Sequence, residues 1–161
     1  MSDPDRAEDG PVEAFVERFA GELVEAGMPR MPSRVFAALL ASETGALGSA
    51  ELAERLRISP AAVSGAVRYL AQVGLTSRER EPGSRRERYR VRNDQWHATF
   101  SRRDQMLVRF AETMRAGTEA VGPDTPAGQR LAENVMFFMF LHDELAQMME
   151  RWKVYREQQL G

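Results

Sequence analysis

The stretch Ser59–Glu81, SPAAVSGAVRYLAQVGLTSRERE, decides how the rest of the chain is read. Ser59 followed by Pro60 is a helix N-cap followed by proline at the first helical position, where the missing N–H had no helical partner anyway. Val63, Ala66, Val67 and Leu70 recur as the buried stripe of that helix, and Gly74 stops it. The opposite face, Ala61, Ala62, Ser64, Gly65, Arg68 and Tyr69, carries small residues where a surface helix usually carries charge. Past Gly74 the run from Leu75 to Arg80 alternates like a strand, Pro82-Gly83-Ser84 forms a turn, and Arg88 to Arg92 alternates again. The pattern is a helix followed by a β-hairpin with a basic tip.

Reading upstream, the first ten residues form a polar tail, expected to be poorly ordered. Val12, Phe15, Val16, Phe19, Ala20 and Leu23 then recur at helical spacing, closed by Gly27 and Pro29. Pro32 and Ser33 are expected to open a second helix with Val35, Phe36, Leu39 and Leu40 inward, ending at Thr44 and Gly45. Ser49 reads as the N-cap of a short third helix, Ala50 to Arg57, with Leu52, Ala53 and Leu56 inward. Downstream of the hairpin, helical periodicity runs from Gln95 to Ala120 and breaks at Gly122-Pro123. A last helix, capped near Thr125, extends from Ala127 to Gln158, about 45 Å at 1.5 Å per residue. The expected fold is mainly α with a small β-hairpin wing: a winged helix-turn-helix with N- and C-terminal dimerisation helices. The expected division is a tail over 1–10, an N-terminal helix over 11–31, the winged core over 32–94 and the C-terminal helices over 95–161.

Composition bounds the function. With 161 residues and 43% apolar content the chain can bury one ordinary core. It has no uninterrupted apolar run of membrane-spanning length, and its acidic start is unlike a secretory signal, so a cytoplasmic protein without a membrane partner is expected. Cysteine is absent, which excludes disulfides, thiolate metal sites and cysteine nucleophiles, and histidine occurs only at His97 and His142. No nucleophile–base pair, phosphate loop or metal spacing appears, so neither an enzyme nor a cofactor is expected. The net charge of −2 is unevenly spread. Seven arginines against Glu79, Glu81 and Glu87 give the segment from Leu75 to Arg92 a charge of +4 and leave −6 for the remainder.

The small face and the basic hairpin make sense together. A helix seated in a DNA major groove about 12 Å wide needs short side chains near its N-terminus so that backbone and hydroxyls reach base edges. Ser64 offers a donor and acceptor, Ala61 and Ala62 suit a thymine methyl, and Arg68 and Tyr69 can reach the flanking backbone or a guanine. The helix N-terminus at Ser59 favours phosphate. Arg85, Arg86 and Arg88 in the hairpin suit a minor groove, where arginine senses width and negative potential. Double-stranded DNA is therefore the expected partner, contacted by Ser59, Ala61, Ala62, Ser64, Gly65, Arg68, Tyr69, Arg78, Arg85, Arg86 and Arg88. The alternative is a winged helix whose arginines meet an acidic protein, without sequence-specific DNA binding.

The stretch SAELAERLRISPAAVSGAVRYLAQVGLTSREREPGSRRERYRV, Ser49–Val91, resembles the winged-helix core of the MarR-type bacterial transcription regulators. The closer resemblance is to the GbsR-like branch, which leads into its second helix with Gly-x-Pro-Arg-x-x-x-Arg, here Gly27-Met28-Pro29-Arg30-Met31-Pro32-Ser33-Arg34. Where that branch often has glycine before the second arginine, this chain has Ser33. The resemblance implies a homodimer built from the N- and C-terminal helices and, as a rule, a repressor; the two-fold symmetry of such a dimer predicts a pseudo-palindromic operator.

The last helix points to a dimer independently. Leu131, Val135, Phe138, His142, Leu145, Met149 and Trp152 are spaced as a heptad seam, and Phe15 and Phe19 of the first helix are expected to join them at the interface. A second stripe, Phe137, Leu141, Met148 and Tyr155, lies alongside, and Val135 to Leu141 is apolar on every side. Asp143 and Glu144 are expected to point away from His142. An effector pocket between the terminal helices and the winged core is expected to draw on Trp96, Phe137, Phe140, His142 and Tyr155, whose rings suit a cationic or aromatic small molecule.

Overall fold

The computed structural model describes the backbone of residues 9–92 and 95–161, and the side chains of residues 10–92 and 103–161. The polar tail expected over 1–10 falls mostly outside the described residues; Asp9 and Gly10 are already helical. The elements are α1 (Asp9–Glu25), α2 (Arg30–Leu40), β1 (Ala46–Gly48), α3 (Ser49–Leu56), α4 (Pro60–Gln72), β2 (Thr76–Arg80), β3 (Glu87–Val91), α5 (Gln95–Val121) and α6 (Pro126–Leu160). The chain divides into two compact units, one ending at Gln95 and one beginning at Trp96. It is mostly helical with one small antiparallel sheet, the winged-helix class expected.

In the first unit the helix ends follow from local chemistry, with two adjustments to the sequence reading. α1 closes on Gly27 at φ 100°, with the Gly27 N–H donating to Val24 O and the Met28 N–H to Leu23 O, both at 3.0 Å. α2 starts at Arg30, not at Pro32; Pro32 is tolerated because it lies in the first turn, where N–H groups have no helical acceptor. Ser49 is the first helical residue of α3 and not its cap. Gly48 takes that place because the Glu51 carboxylate reaches back to accept from the Gly48 N–H at 2.7 Å. α4 opens as expected, with Ser59 Oγ accepting from the Ala62 N–H at 3.1 Å and Pro60 behind it. Gly74, at φ 79°, turns the chain out of it.

The sheet has one strand more than the expected hairpin. β1 pairs with β3, Leu47 opposite Tyr89, and β3 pairs with β2, Arg78 opposite Tyr89, in the order β1-β3-β2. Three residues are too few to show alternation, so β1 exists only through its pairing. Beneath the sheet and helices lies one core, built from Val16 and Ala20 of α1, Val35, Phe36 and Leu39 of α2, Leu52 and Leu56 of α3, Val63, Val67 and Leu70 of α4, and Leu47, Leu75 and Tyr89 from the strands and the lead into β2. Arg34 ties this assembly together. Its Nε and Nη2 donate to Glu17 Oε1 at 2.9 and 2.7 Å, and Nη2 also donates to Leu56 O at 3.1 Å. Thus α2 is fixed to α1 and to the last carbonyls of α3 at once. Ser33, fully buried, donates to Pro29 O at 2.8 Å and so needs no outside partner.

The second unit is a helical hairpin. Thr125 Oγ1 accepts from the Gly128 N–H at 3.0 Å to cap α6. Gly128 lies so close to the Gly122 carbonyl that an added Cβ would overlap it, so only glycine allows this return of the chain. The two helices run antiparallel: Leu131 lies beside Gly117, the Phe110 and Phe138 rings meet edge-on at 5.6 Å, and His142 Nε2 approaches Asp104 Oδ1 at 3.1 Å. The stripe read from the sequence as a seam to a partner chain is therefore turned toward α5 of its own chain at Leu131, Phe138 and His142, and Met149 is buried. Asp143, expected to point away from His142, instead places Oδ1 3.0 Å from its Nδ1. An aspartate beside a histidine folds back across one peptide when its carboxylate finds a ring nitrogen there.

Candidate nucleic-acid interface

The exposed face of α4 is the small one. Val63, Ala66, Val67 and Leu70 are buried, while Ala61, Ser64, Gly65 and Arg68 are exposed, with Ala62 and Tyr69 half-buried at its edges. Tyr69 packs against the core, so its ring flanks the face without standing on it. The first turn of α4, with Ser59 as its cap, lies at the exposed end, where unpaired amides attract anions. Ser64 and Arg68 are four residues apart and so share one side of the helix. No hydrogen bond or ion pair to a described residue occupies either side chain.

The wing sorts its seven arginines by register. Arg78, opposite Tyr89, lies 5.9 Å from that ring and 3.5 Å from Glu87. Arg88 donates to Ala46 O at 2.9 Å and approaches Glu51 at 3.7 Å. Arg90 donates to Glu79 Oε1 at 2.8 Å and to Thr44 O at 2.7 Å, and Arg92 is also engaged. The side chains of Arg80, Arg85 and Arg86 are exposed and make no hydrogen bond or ion pair to a described residue. Arg85 and Arg86 sit at the tip, beyond Gly83 at φ 77°, where Glu81 N–H donates to Arg86 O at 3.1 Å and Arg86 N–H to Ser84 Oγ at 3.0 Å. Arg88, expected to enter a groove, braces β3 against β1 and α3 in this fold. Arg80, passed over in the sequence, stands free instead. The signal for it was the pairing register, which a single strand does not show.

Two family models match this chain, one for the MarR family over residues 26–87 and one for MmpR5-like MarR family transcriptional regulators over residues 94–157. Between them they cover the α4 face, most of the wing and nearly all of the second unit. The chain belongs to the MarR family of winged-helix transcriptional regulators. Its fold is shared with a solved transcriptional regulator that is 24% identical, over 89% of this chain and 98% of that one, with a TM-score of 0.76. Two MarR family regulators from Streptomyces coelicolor are also similar. Sco3205, solved in complex with DNA, is 19% identical over 96% of this chain and 86% of that one, at a TM-score of 0.43. Sco5413 is 20% identical over 86% and 89%, at 0.40. No curated protein matches.

The remaining candidate residues of this MarR-family chain lie on the terminal helices. Phe15 is exposed and stacks on the half-buried Phe19 at 5.8 Å. On α6, Leu131, Val135, Phe138, His142 and Leu145 are half-buried and Trp152 is exposed. Phe137, Phe140 and Tyr155, expected at an effector site, are each more than half exposed. The side chains of Trp96 and His97 lie outside the described residues. Among the described residues no cluster of histidines and carboxylates is arranged to hold a metal ion, and no helix is long and apolar enough to cross a membrane.

Proposed function

We propose that this regulator is a homodimeric repressor that reads a pseudo-palindromic DNA site with α4 and grips the flanking backbone with Arg80, Arg85 and Arg86 of its wing. The observation that carries the reading is the face of α4: capped at Ser59, exposed at Ala61, Ser64, Gly65 and Arg68, and free of bulk at the end that meets a groove. Sco3205, a family member solved with DNA, supports the partner class. The homodimer is supported by exposed apolar side chains on α1 and α6, Phe15, Met136, Phe137, Phe140 and Trp152 among them, more than a monomer ordinarily leaves in water. Repression follows from occupancy: a dimer seated across two successive major grooves covers sequence that the transcription machinery needs. Binding to chromosomal DNA places the protein in the cytoplasm. The exposed rings of Phe137, Phe140 and Tyr155 suit a cationic or aromatic effector. Within the family, the Gly27–Arg34 lead-in supports the GbsR-like branch, and the match over 94–157 supports the MmpR5-like one.

Selection of bound sequences from a random DNA pool tests the reading. An enriched, two-fold symmetric sequence whose affinity falls steeply with salt is the expected result. A pool that stays unenriched, or a protein that binds an acidic partner and no DNA, overturns it.

A further inference from the structure

We propose that Arg57, in the turn between α3 and α4, contacts a phosphate of the bound DNA; the inference rests on the reading of α4 given above. Arg57 closes α3 in the left-handed conformation, at φ 52° and ψ 48°. Among the described residues the other positive-φ positions are all glycines, Gly27, Gly45, Gly74, Gly83 and Gly122. A side chain in this region brings Cβ against the following carbonyl oxygen, a cost that glycine escapes. At the other described turns of this kind the chain uses glycine, and at Arg57 it accepts the cost.

The turn's backbone bonds, Arg57 N–H to Glu54 O and Ile58 N–H to Ala53 O, would form equally with glycine, and among the described residues no side-chain bond offsets the cost. The Arg57 side chain is exposed and makes no hydrogen bond or ion pair with a described residue. It borders an open groove also lined by Glu13, Glu17 and Glu54, yet pairs with none of these carboxylates, and Glu17 is already held by Arg34. An arginine kept at a conformational cost, beside acids it does not use, serves a group outside the chain.

Its place says which group. Arg57 stands two residues before the Ser59 cap, at most about 7 Å along the backbone. A helix whose first turn meets base edges must be led in across the rim of the groove, and that rim is phosphodiester. A planar guanidinium there binds phosphate through two parallel N–H donors and adds to the amides of the α4 N-terminus.

The test uses the full chain and the DNA sequence enriched from the random pool. Arg57→Gly and Arg57→Asn both suit the left-handed backbone, and Arg57→Lys keeps the charge. We expect the glycine and asparagine variants to melt at or above the wild-type temperature. They should bind the enriched DNA roughly tenfold more weakly at about 0.1 M salt, with a salt slope smaller by about one unit per bound subunit. The lysine variant should restore the slope. Unchanged affinity and slope in both neutral variants overturn the inference. So does a lower melting temperature in both, which would show that the side chain serves the fold. A wild-type protein that binds no DNA overturns the reading of α4 and this contact with it.

Discussion

Gly65 shows most plainly how a single residue separates folding from function. It lies in the middle of α4, exposed, and a Cβ added there would meet nothing within 4 Å. Packing asks nothing of glycine at this position, and helix propensity disfavours it by about 1 kcal/mol relative to alanine. Gly65→Ala should therefore raise the melting temperature by about 2–4 °C, the effect of about 1 kcal/mol on a chain of this size. The same methyl group stands on the face assigned to the major groove, so affinity for the enriched DNA should fall. Calorimetry and a binding titration on one preparation decide it: a gain in stability with unchanged DNA preference removes Gly65 from the interface. Ser59 is the counter-example, because its hydroxyl caps α4 whatever the helix touches. Both residues were legible in the sequence, since a cap and a small helical face are local patterns. Arg57 was not, because an arginine in a turn looks ordinary until its φ is known.

At the scale of the element, the wing carries its arginines on both faces of a twisted ribbon, and register alone separates those that hold the fold from those that are free. Arg86→Ala should leave the melting temperature nearly unchanged, weaken binding to most DNA sequences and lower the salt slope by about one unit per lost contact. Arg88→Ala should do the reverse. It removes the donor to Ala46 O and costs about 1 kcal/mol of stability, with the smaller effect on the slope. Equal effects of the two substitutions on DNA binding would mean that the braced arginine is also a contact. Alternation in the sequence located both strands, and it did not show which arginine faces a carboxylate, because Glu79 and Glu87 reach their partners only across the paired strands and Glu51 reaches Arg88 only from α3.

Across the whole molecule, the exposed rings of α6 and α1 bear on the quaternary structure. Phe140 is 63% exposed, whereas Phe138 packs edge-on against Phe110 of the same hairpin. Phe140→Glu should therefore yield a folded monomer by sedimentation, with DNA binding weakened together with the loss of the dimer. Phe138→Glu should lower the helix content measured by circular dichroism, because it places a charge between α5 and α6. If Phe140→Glu sediments as a dimer, the interface lies elsewhere. A dimer with one reader per subunit also sets the geometry of its site: footprinting should show half-site centres about 10 bp apart on one side of the duplex.

What the sequence determined alone is what neighbours along the chain decide: the caps at Ser59 and Thr125, the stops at Gly27, Gly74 and Gly122, the helical stripes, and the small face between Ala61 and Tyr69. Each depends on interactions within about one helical turn, so composition and spacing contain it. What only the tertiary structure decided are choices between equivalent local patterns. Two apolar stripes on α6 have the same periodicity, and packing alone turned the one through Leu131, Phe138 and His142 toward α5 and left Phe137, Phe140 and Tyr155 in water. The three residues of β1 became a strand only when β3 supplied its hydrogen bonds. Arg88 and Arg90 were drawn inward by acceptors more than forty residues away, Ala46 O and Thr44 O. Such partners are brought together by the folding of the core, and spacing along the chain does not encode them.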